Sequence, residues 1–185
     1  MKTRVNIMIG RFQPFTKGHY KCIEEAWKLK HVPTIICMIN TPDEKVDEKH
    51  PFPSSMLLPL YKSFFTGDNK VAGIELIKNA DIVAIGELLH ERYDICSWTC
   101  GTDRINSYQK MSERYHDRAH LSDDFEMIEV KRSDEDISAT KVRQALLDDD
   151  KKLFYKLTPF MSLTSYLKMN PFEVLRQQLL KVYNS

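Results

Sequence analysis

An α/β fold built on a doubly wound parallel sheet, with a small helical C-terminal cap, is the architecture this sequence predicts. Two observations carry that reading. Short β-branched runs alternate with amphipathic segments, and the first forty residues read strand, loop, helix, strand. That order is a βαβ unit, whose crossover is right-handed in nearly all proteins.

Residues 5–9 form a short apolar run ending at Gly10, which suits a buried strand. Residues 11–17 make a loop and residues 18–30 a helix, with Ile23, Ala26, Trp27 and Lys30 near helical spacing and Glu24–Lys28 as an i, i+4 pair. Residues 34–39 are a second buried strand. The polar stretch 40–55 is expected to be a functional loop or disordered. A helix over 56–65 follows, with Pro59 in its first turn. Residues 71–77 and 81–85 are strand candidates, of which one or both form. Residues 95–99 are a further strand, with Gly101 just beyond; residues 105–116 are an amphipathic helix, and 125–130 the last strand. From Ser138 the chain reads as helical, interrupted near Pro159 and Pro171. The expected division is a main domain over 1–160 and a helical segment over 161–185. The latter's apolar residues, Leu163, Tyr166, Leu167, Phe172, Leu175, Leu179 and Val182, pack on the domain or on another subunit.

The chain has 185 residues, and its 27 Lys and Arg nearly cancel its 26 Asp and Glu. That balance offers no general attraction for nucleic acid or an anionic membrane, so local clusters must supply any phosphate affinity. No apolar run reaches the ~18–20 residues that span a bilayer. The opening residues are interrupted too early, by Gly10 and Arg11, to read as a signal peptide. Cys22, Cys37, Cys96 and Cys100 form no C-x-x-C pair, so reduced thiols in a cytoplasmic protein are expected, with no metal site.

Two segments carry chemistry. The first, Gly-Arg-Phe-Gln-Pro-Phe-Thr-Lys-Gly-His over residues 10–19, joins the first strand to the first helix. Ligands of a doubly wound sheet bind beyond the carboxyl ends of its strands, so this loop is well placed. Gly10 and Gly18 permit close backbone approach, Arg11 and Lys17 bring charge, and His19 sits at a helix start, where free N–H groups favour phosphate. The second, Ile-Ser-Ala-Thr-Lys-Val-Arg over residues 137–143, opens a later helix. Ser138 can cap it, the Thr140 hydroxyl lies near the free N–H groups, and Arg143 reaches the same side one turn on.

Together these strings resemble the two signatures of the HxGH nucleotidyltransferase superfamily, closest to nicotinamide mononucleotide adenylyltransferases of the archaeal and bifunctional bacterial types. The resemblance covers residues 4–160, and Thr16 stands where the family carries its first histidine. It implies a Rossmann-like adenylyltransferase that moves AMP from ATP to nicotinamide mononucleotide, giving NAD and pyrophosphate. Under it His19, Thr16 and Arg143 are catalytic, while Gly10, Arg11, Phe12, Lys17, Gly18, Ile137, Ser138, Thr140 and Arg143 bind the nucleotide. Mg²⁺ is expected to travel on the nucleotide rather than on protein carboxylates. The turn Gly101-Thr102-Asp103-Arg104 is implied to approach adenosine. Asp103 either caps its helix or meets a ribose hydroxyl, and Arg104 either reaches phosphate or is solvated.

Acceptor residues are less defined. The segment 49–53 loosely matches a family segment, but the Glu-Arg pair expected after it is replaced by Ser54, Ser55, Met56 and Leu57. Asn40, Phe52 and Trp98 are the acceptor candidates, with Trp98 more readily read as core. Phosphopantetheine, FMN or phosphocholine-like acceptors, with ATP or CTP as donor, stay open, as does a non-catalytic nucleotide-binding or assembly protein. A homo-oligomer is also open.

Overall fold

The computed structural model describes residues 2–131, 137–160 and 170–184. They fall into two compact units: one of residues 1–10, 21–39 and 68–132, the other of residues 11–20, 40–67 and 133–185.

The first unit contains the sheet. Its strands are β1 (Thr3–Gly10), β2 (Thr34–Ile39), β3 (Val71–Ile77), β4 (Tyr93–Gly101) and β5 (Leu121–Val130). All pair in parallel in the order β3-β2-β1-β4-β5. The order reverses between β1 and β4, and those two strands end at Gly10 and Gly101. Helix α1 (Lys17–Lys30) begins in the other unit and crosses the division after Tyr20.

The central strands β1 and β2 are near-continuous buried runs, as strands flanked on both sides in a parallel sheet are, whereas the edge strands β3 and β5 carry exposed residues. Val5, Ile7 and Ile9 of β1 join Ile35, Cys37, Ile95 and Trp98 in one core cluster. Asn6 is fully buried in the middle of β1 yet fully used. Its Nδ2 donates to Thr34 Oγ1 at 3.1 Å, and its Oδ1 accepts from Ser97 Oγ at 2.9 Å and Thr99 Oγ1 at 2.7 Å. A satisfied polar network of this kind fixes the register of β2, β1 and β4, since a slip would strand each group.

Of the two strand candidates one forms: 71–77 is β3, whereas 81–85 is not a strand, Asp81 preceding and residues 82–85 opening helix α3 (Ile82–Leu89). Asp81 caps it, its side chain accepting from the N–H groups of Val83 and Ala84. The buried residues Ile82, Ile85, Gly86 and Leu89 follow helical spacing, a period that a five-residue window is too short to reveal. Helix α4 (Ile105–Tyr115) lays Tyr108, Met111 and Tyr115 on the same core.

The second unit is helical: α2 (Ser54–Phe64), α5 (Ala139–Leu147), α6 (Lys151–Leu157) and α7 (Pro171–Tyr183). The stretch 40–55 is neither structureless nor disordered. It carries a 3₁₀ turn at Asp43–Lys45, and Thr41 and Ser54 bond reciprocally, Thr41 N–H to Ser54 Oγ (2.8 Å) and Ser54 N–H to Thr41 O (2.9 Å). Because α2 starts at Ser54, Pro59 lies in its second turn rather than its first. Pro59 and Ser55 are both exposed, so water can take the Ser55 carbonyl that proline leaves unpaired.

Aromatic rings fill this unit's interior: Phe15, Tyr61, Phe154, Phe160 and Phe172 are almost fully buried. Asp150 caps α6 and Asn170 caps α7, where Pro171 takes the first helical position. Arg176 ties α7 to α5 by donating to Leu146 O at 3.0 Å. Phe172, Leu175 and Leu179 are buried and Val182 is partly exposed, while Leu163, Tyr166 and Leu167 lie outside the described residues.

Candidate active site

Residues 11–19 of the first motif, with the start of α1, belong to the second unit, and their geometry follows from one turn. Thr16 is the residue before α1, and its carbonyl accepts the first helical bond, from Tyr20 N–H at 3.0 Å. Its hydroxyl accepts from His19 N–H at 3.3 Å, and its own N–H donates to His19 Nδ1 at 3.0 Å. This is a capping box in which an imidazole replaces the usual Glu or Gln.

The box sets the tautomer of His19. A nitrogen that accepts from an N–H carries no proton, so the ring proton sits on Nε2, which becomes the outward donor. The imidazole packs against Phe12 and Phe15 at centroid distances of 5.1 and 5.3 Å. Loss of hydration in that enclosure lowers its pKa to about 4. At neutral pH His19 is therefore an uncharged hydrogen-bond donor. Thr16, 2% exposed, is turned toward His19, so its part is to orient that ring.

The surrounding loop is held from three sides. Tyr61 Oη donates to Phe12 O at 2.7 Å and accepts from Phe15 N–H at 2.8 Å. This supports Phe12 in a left-handed conformation (φ 50°) that few non-glycine residues adopt. The Gln13 amide pairs with the Phe52 backbone, Nε2 donating to Phe52 O at 2.7 Å and Oε1 accepting from Phe52 N–H at 3.0 Å. Nε2 also reaches Thr41 Oγ1 at 3.3 Å. Arg11 Nη1 donates to Asn40 O at 3.2 Å.

The second motif meets the first directly. Arg143 Nη1 donates to Gln13 O at 2.7 Å and Nη2 to Thr140 Oγ1 at 3.2 Å. Ser138 caps α5 by accepting from Lys141 N–H at 3.2 Å. The first N–H groups of a helix have no intrahelical partner, so a pinned guanidinium, a threonine hydroxyl and free amides share one helix start, where Ile137 enters. Burial lowers the Arg143 pKa, but a guanidinium remains a cation.

Arg11, Phe12, Thr16, His19, Asn40, Phe52, Ile137, Ser138, Thr140 and Arg143 thus belong to one unit, together with exposed Lys17. Gly18 belongs there too; a side chain at that position would meet Thr16 Oγ1 only at 3.5 Å, an ordinary contact. Phe52 is wholly buried, and Gln13 occupies both its N–H and its C=O, so it braces the loop and offers no surface to a ligand.

The other sequence-derived residues belong to the first unit. Gly10 and Gly101 end adjacent strands at the reversal point. A Cβ on Gly101 would lie 3.0 Å from Asp103 Oδ1, so this turn is tight. The N-cap of α4 is Arg104, which makes no side-chain capping bond; Asp103 is exposed and faces Arg104 Nε at 3.7 Å. Trp98 is enclosed within the core, stacked on Tyr108 at 4.2 Å, its Nε1 without a hydrogen-bond partner among the described residues.

Gln13, Tyr61 and His50 escaped the sequence reading. Burial and then the charge of Arg11 pull the His50 pKa down, with a further contribution from Arg143, which places His50 within electrostatic reach of both arginines. Its position in the 49–53 segment was the available signal. Around Arg11 and Arg143 the described partners are hydroxyls, backbone carbonyls and, within electrostatic reach of Arg143, the Asp47 carboxylate. Two guanidinium cations there disfavour a protein-ligated Mg²⁺. Cys22, Cys37, Cys96 and Cys100 are free and buried, and burial pushes Cys22 up to about 12 and Cys100 to about 11. No helix among the described residues is long and apolar enough to cross a membrane.

A family model described as cytidylyltransferase-like matches residues 7–145. No curated protein sequence matches significantly. Among solved structures, the chain is similar to one from Vibrio parahaemolyticus assigned as a nicotinate-nucleotide adenylyltransferase. That match has 16% identity and a TM-score of 0.56, covering 98% of this chain and 96% of the other. It is also similar to the nicotinic acid mononucleotide adenylyltransferase of Plasmodium falciparum complexed with APC, at 14% identity and a TM-score of 0.53 over the same shares. At these identities the likeness is one of fold.

Proposed function

The chain belongs to the cytidylyltransferase-like family, and from that premise we propose that it transfers AMP from ATP to a phosphate-bearing acceptor, with nicotinamide mononucleotide as the lead substrate and NAD and pyrophosphate as products. The observation that carries this reading is the state of His19: Nδ1 is occupied by Thr16 N–H, which leaves Nε2–H as a neutral donor beside the phosphate-binding loop. The fold shared with adenylyltransferases acting on pyridine mononucleotides favours that acceptor class over phosphopantetheine, FMN or phosphocholine.

An oxygen of the acceptor phosphate attacks the α-phosphorus in line. The new P–O bond forms as the bond to the α–β bridging oxygen breaks, and that oxygen leaves with pyrophosphate. The acceptor phosphate is already ionised, so no general base is required. His19 Nε2–H stabilises charge developing on the α-phosphate, and a fixed donor acts best where charge grows. Arg11, Lys17, Thr140, Arg143 and the first N–H groups of α5 hold the departing pyrophosphate. Thr16 positions His19. Gly101, Asp103 and Arg104 are assigned to the adenosine side and Asn40 to the acceptor, while buried Phe52 braces the loop and Trp98 belongs to the core. Bound Mg²⁺ would offset charge on the triphosphate. Four free, buried thiols suit a cytoplasmic protein.

The test is pyrophosphate release from ATP and from CTP with nicotinamide mononucleotide, its nicotinate counterpart and the other three acceptors. Release with ATP and a pyridine mononucleotide, reduced by about 10²–10³-fold in His19→Ala, is expected. Release with no acceptor despite measurable ATP binding would leave a nucleotide-binding protein, and a preference for CTP would overturn the base assignment.

A further inference from the structure

We propose that Glu87, His90 and His120, none of them in either phosphate motif, form a binding site for a divalent transition-metal ion of the zinc class. The three side chains come from two places in the first unit. Glu87 lies in α3 and His90 caps its C-terminal end, so the pair shares one face at i, i+3. His120 comes from the turn between α4 and β5, thirty residues further along. No sequence spacing announces a ligand set split this way, which is why no metal site was expected.

Close backbone packing brings the turn to the helix. A Cβ on Gly86 would lie 2.1 Å from Ala119 O and 2.8 Å from Ala119 Cα, a separation that real side chains do not tolerate. Glycine at this position lets the turn sit directly on α3. His120 then adopts a left-handed conformation (φ 50°), and its ring stacks on that of His90 with centroids 4.3 Å apart and planes 17° apart.

The donor atoms converge. His120 Nε2 lies 3.1 Å from Glu87 Oε1, and His90 Nε2 lies 3.7 Å from Glu87 Oε2. One ligand atom from each residue falls within 4.8 Å of the others. Around a tetrahedral zinc ion with bonds of 2.0–2.2 Å, neighbouring donors stand about 3.3 Å apart, so small side-chain rotations complete the shell. Glu91 Oε1, 3.7 Å from His90 Nε2, adds a second carboxylate at the rim. The carboxylates of Glu87 and Glu91 bring negative charge that a divalent cation offsets. Two nitrogen donors with one carboxylate favour zinc, nickel or cobalt over magnesium. Glu87 and His120 are exposed and His90 partly so, which leaves the fourth position to water. The bound ion would clip the end of α3 to the turn before β5.

The experiment is isothermal titration of the full chain with Zn²⁺ and separately with Mg²⁺, without nucleotide, alongside the visible absorption of Co²⁺ and the thermal midpoint. The variants are Glu87→Gln, His90→Gln and His120→Asn, the last chosen because asparagine accepts the left-handed conformation. One saturable Zn²⁺ site is expected, absent with Mg²⁺, with a raised midpoint and tetrahedral Co²⁺ bands. Each substitution removes a direct ligand, so affinity should fall by at least the about 10–100-fold seen when only a supporting residue is lost. Circular dichroism of each variant separates lost ligation from lost folding. No saturable Zn²⁺ binding in the wild type, or binding unchanged in all three folded variants, overturns the proposal.

Discussion

Gln13→Met tests whether the first motif is held in place by the segment behind it. Methionine matches glutamine in length and approximate volume, and Gln13 is only 5% exposed, so the change removes an amide without opening a large void. It deletes the bonds to Phe52 O at 2.7 Å, from Phe52 N–H at 3.0 Å and to Thr41 Oγ1 at 3.3 Å. Phe52 is wholly buried, so its N–H and C=O lose partners in a place where little water can replace them. At roughly 1–2 kcal/mol for each stranded backbone group, the expected loss is about 3 kcal/mol. For a chain of this size that lowers the thermal midpoint by roughly 6–12 °C. Calorimetry and urea titration measure the stability, and ATP affinity on the folded variant reports the site. Affinity should weaken as well, because Arg143 rests on Gln13 O and Arg11 on the Asn40 carbonyl beside Thr41. A stability loss below ~0.5 kcal/mol with unchanged ATP affinity would refute the reasoning.

Two further predictions concern the phosphate side. The pKa of His19 lies at about 4, below the ~6.5 of a free imidazole, so as pH falls the unfolded chain takes up this proton before the folded one does. The stabilising contribution is complete above ~6.5 and is lost on descent toward about 4. The pH profile of kcat/KM should accordingly show no His19 step between about 5 and 8; a step near 6.5 that disappears in His19→Gln would contradict the lowering of its pKa by enclosure. Arg143→Lys keeps the charge but cannot bond Gln13 O and Thr140 Oγ1 from two nitrogens of one rigid plane. Equilibrium binding should show ATP affinity reduced about tenfold or more, and wild-type affinity would remove Arg143 from the triphosphate site.

The centre of the sheet was readable because β1 and β2 are near-continuous apolar runs. The helix at Ile82–Leu89 was not, because a short apolar run fits both periods and Gly86 looks like a breaker until its contact with Ala119 is known. The phosphate motifs were readable as strings of residue types, but what each residue does was not. Thr16 resembles a weakened histidine in the string, whereas in three dimensions it fixes the tautomer of its neighbour. Tyr61 carries no local signal at all, since its bonds to Phe12 and Phe15 reach back more than forty residues. Segment 40–55 looked unstructured because its polar composition hides Thr41, Phe52 and Ser54, three buried residues that tie it down.

The bond from Arg143 to Gln13 O also bears on how the protein is made. It joins residues 130 positions apart, and it spans the whole interval between the two motifs. A ribosome adding about 5–20 residues per second needs roughly 7–26 s to cover that interval. Throughout that time the nascent chain displays its first motif without the arginine that will brace it. Translation must pass the second motif, and that segment must clear the exit tunnel, before this brace can form. The proposed nucleotide grip therefore needs a chain that extends past Arg143, and a product truncated before it is expected to bind ATP weakly.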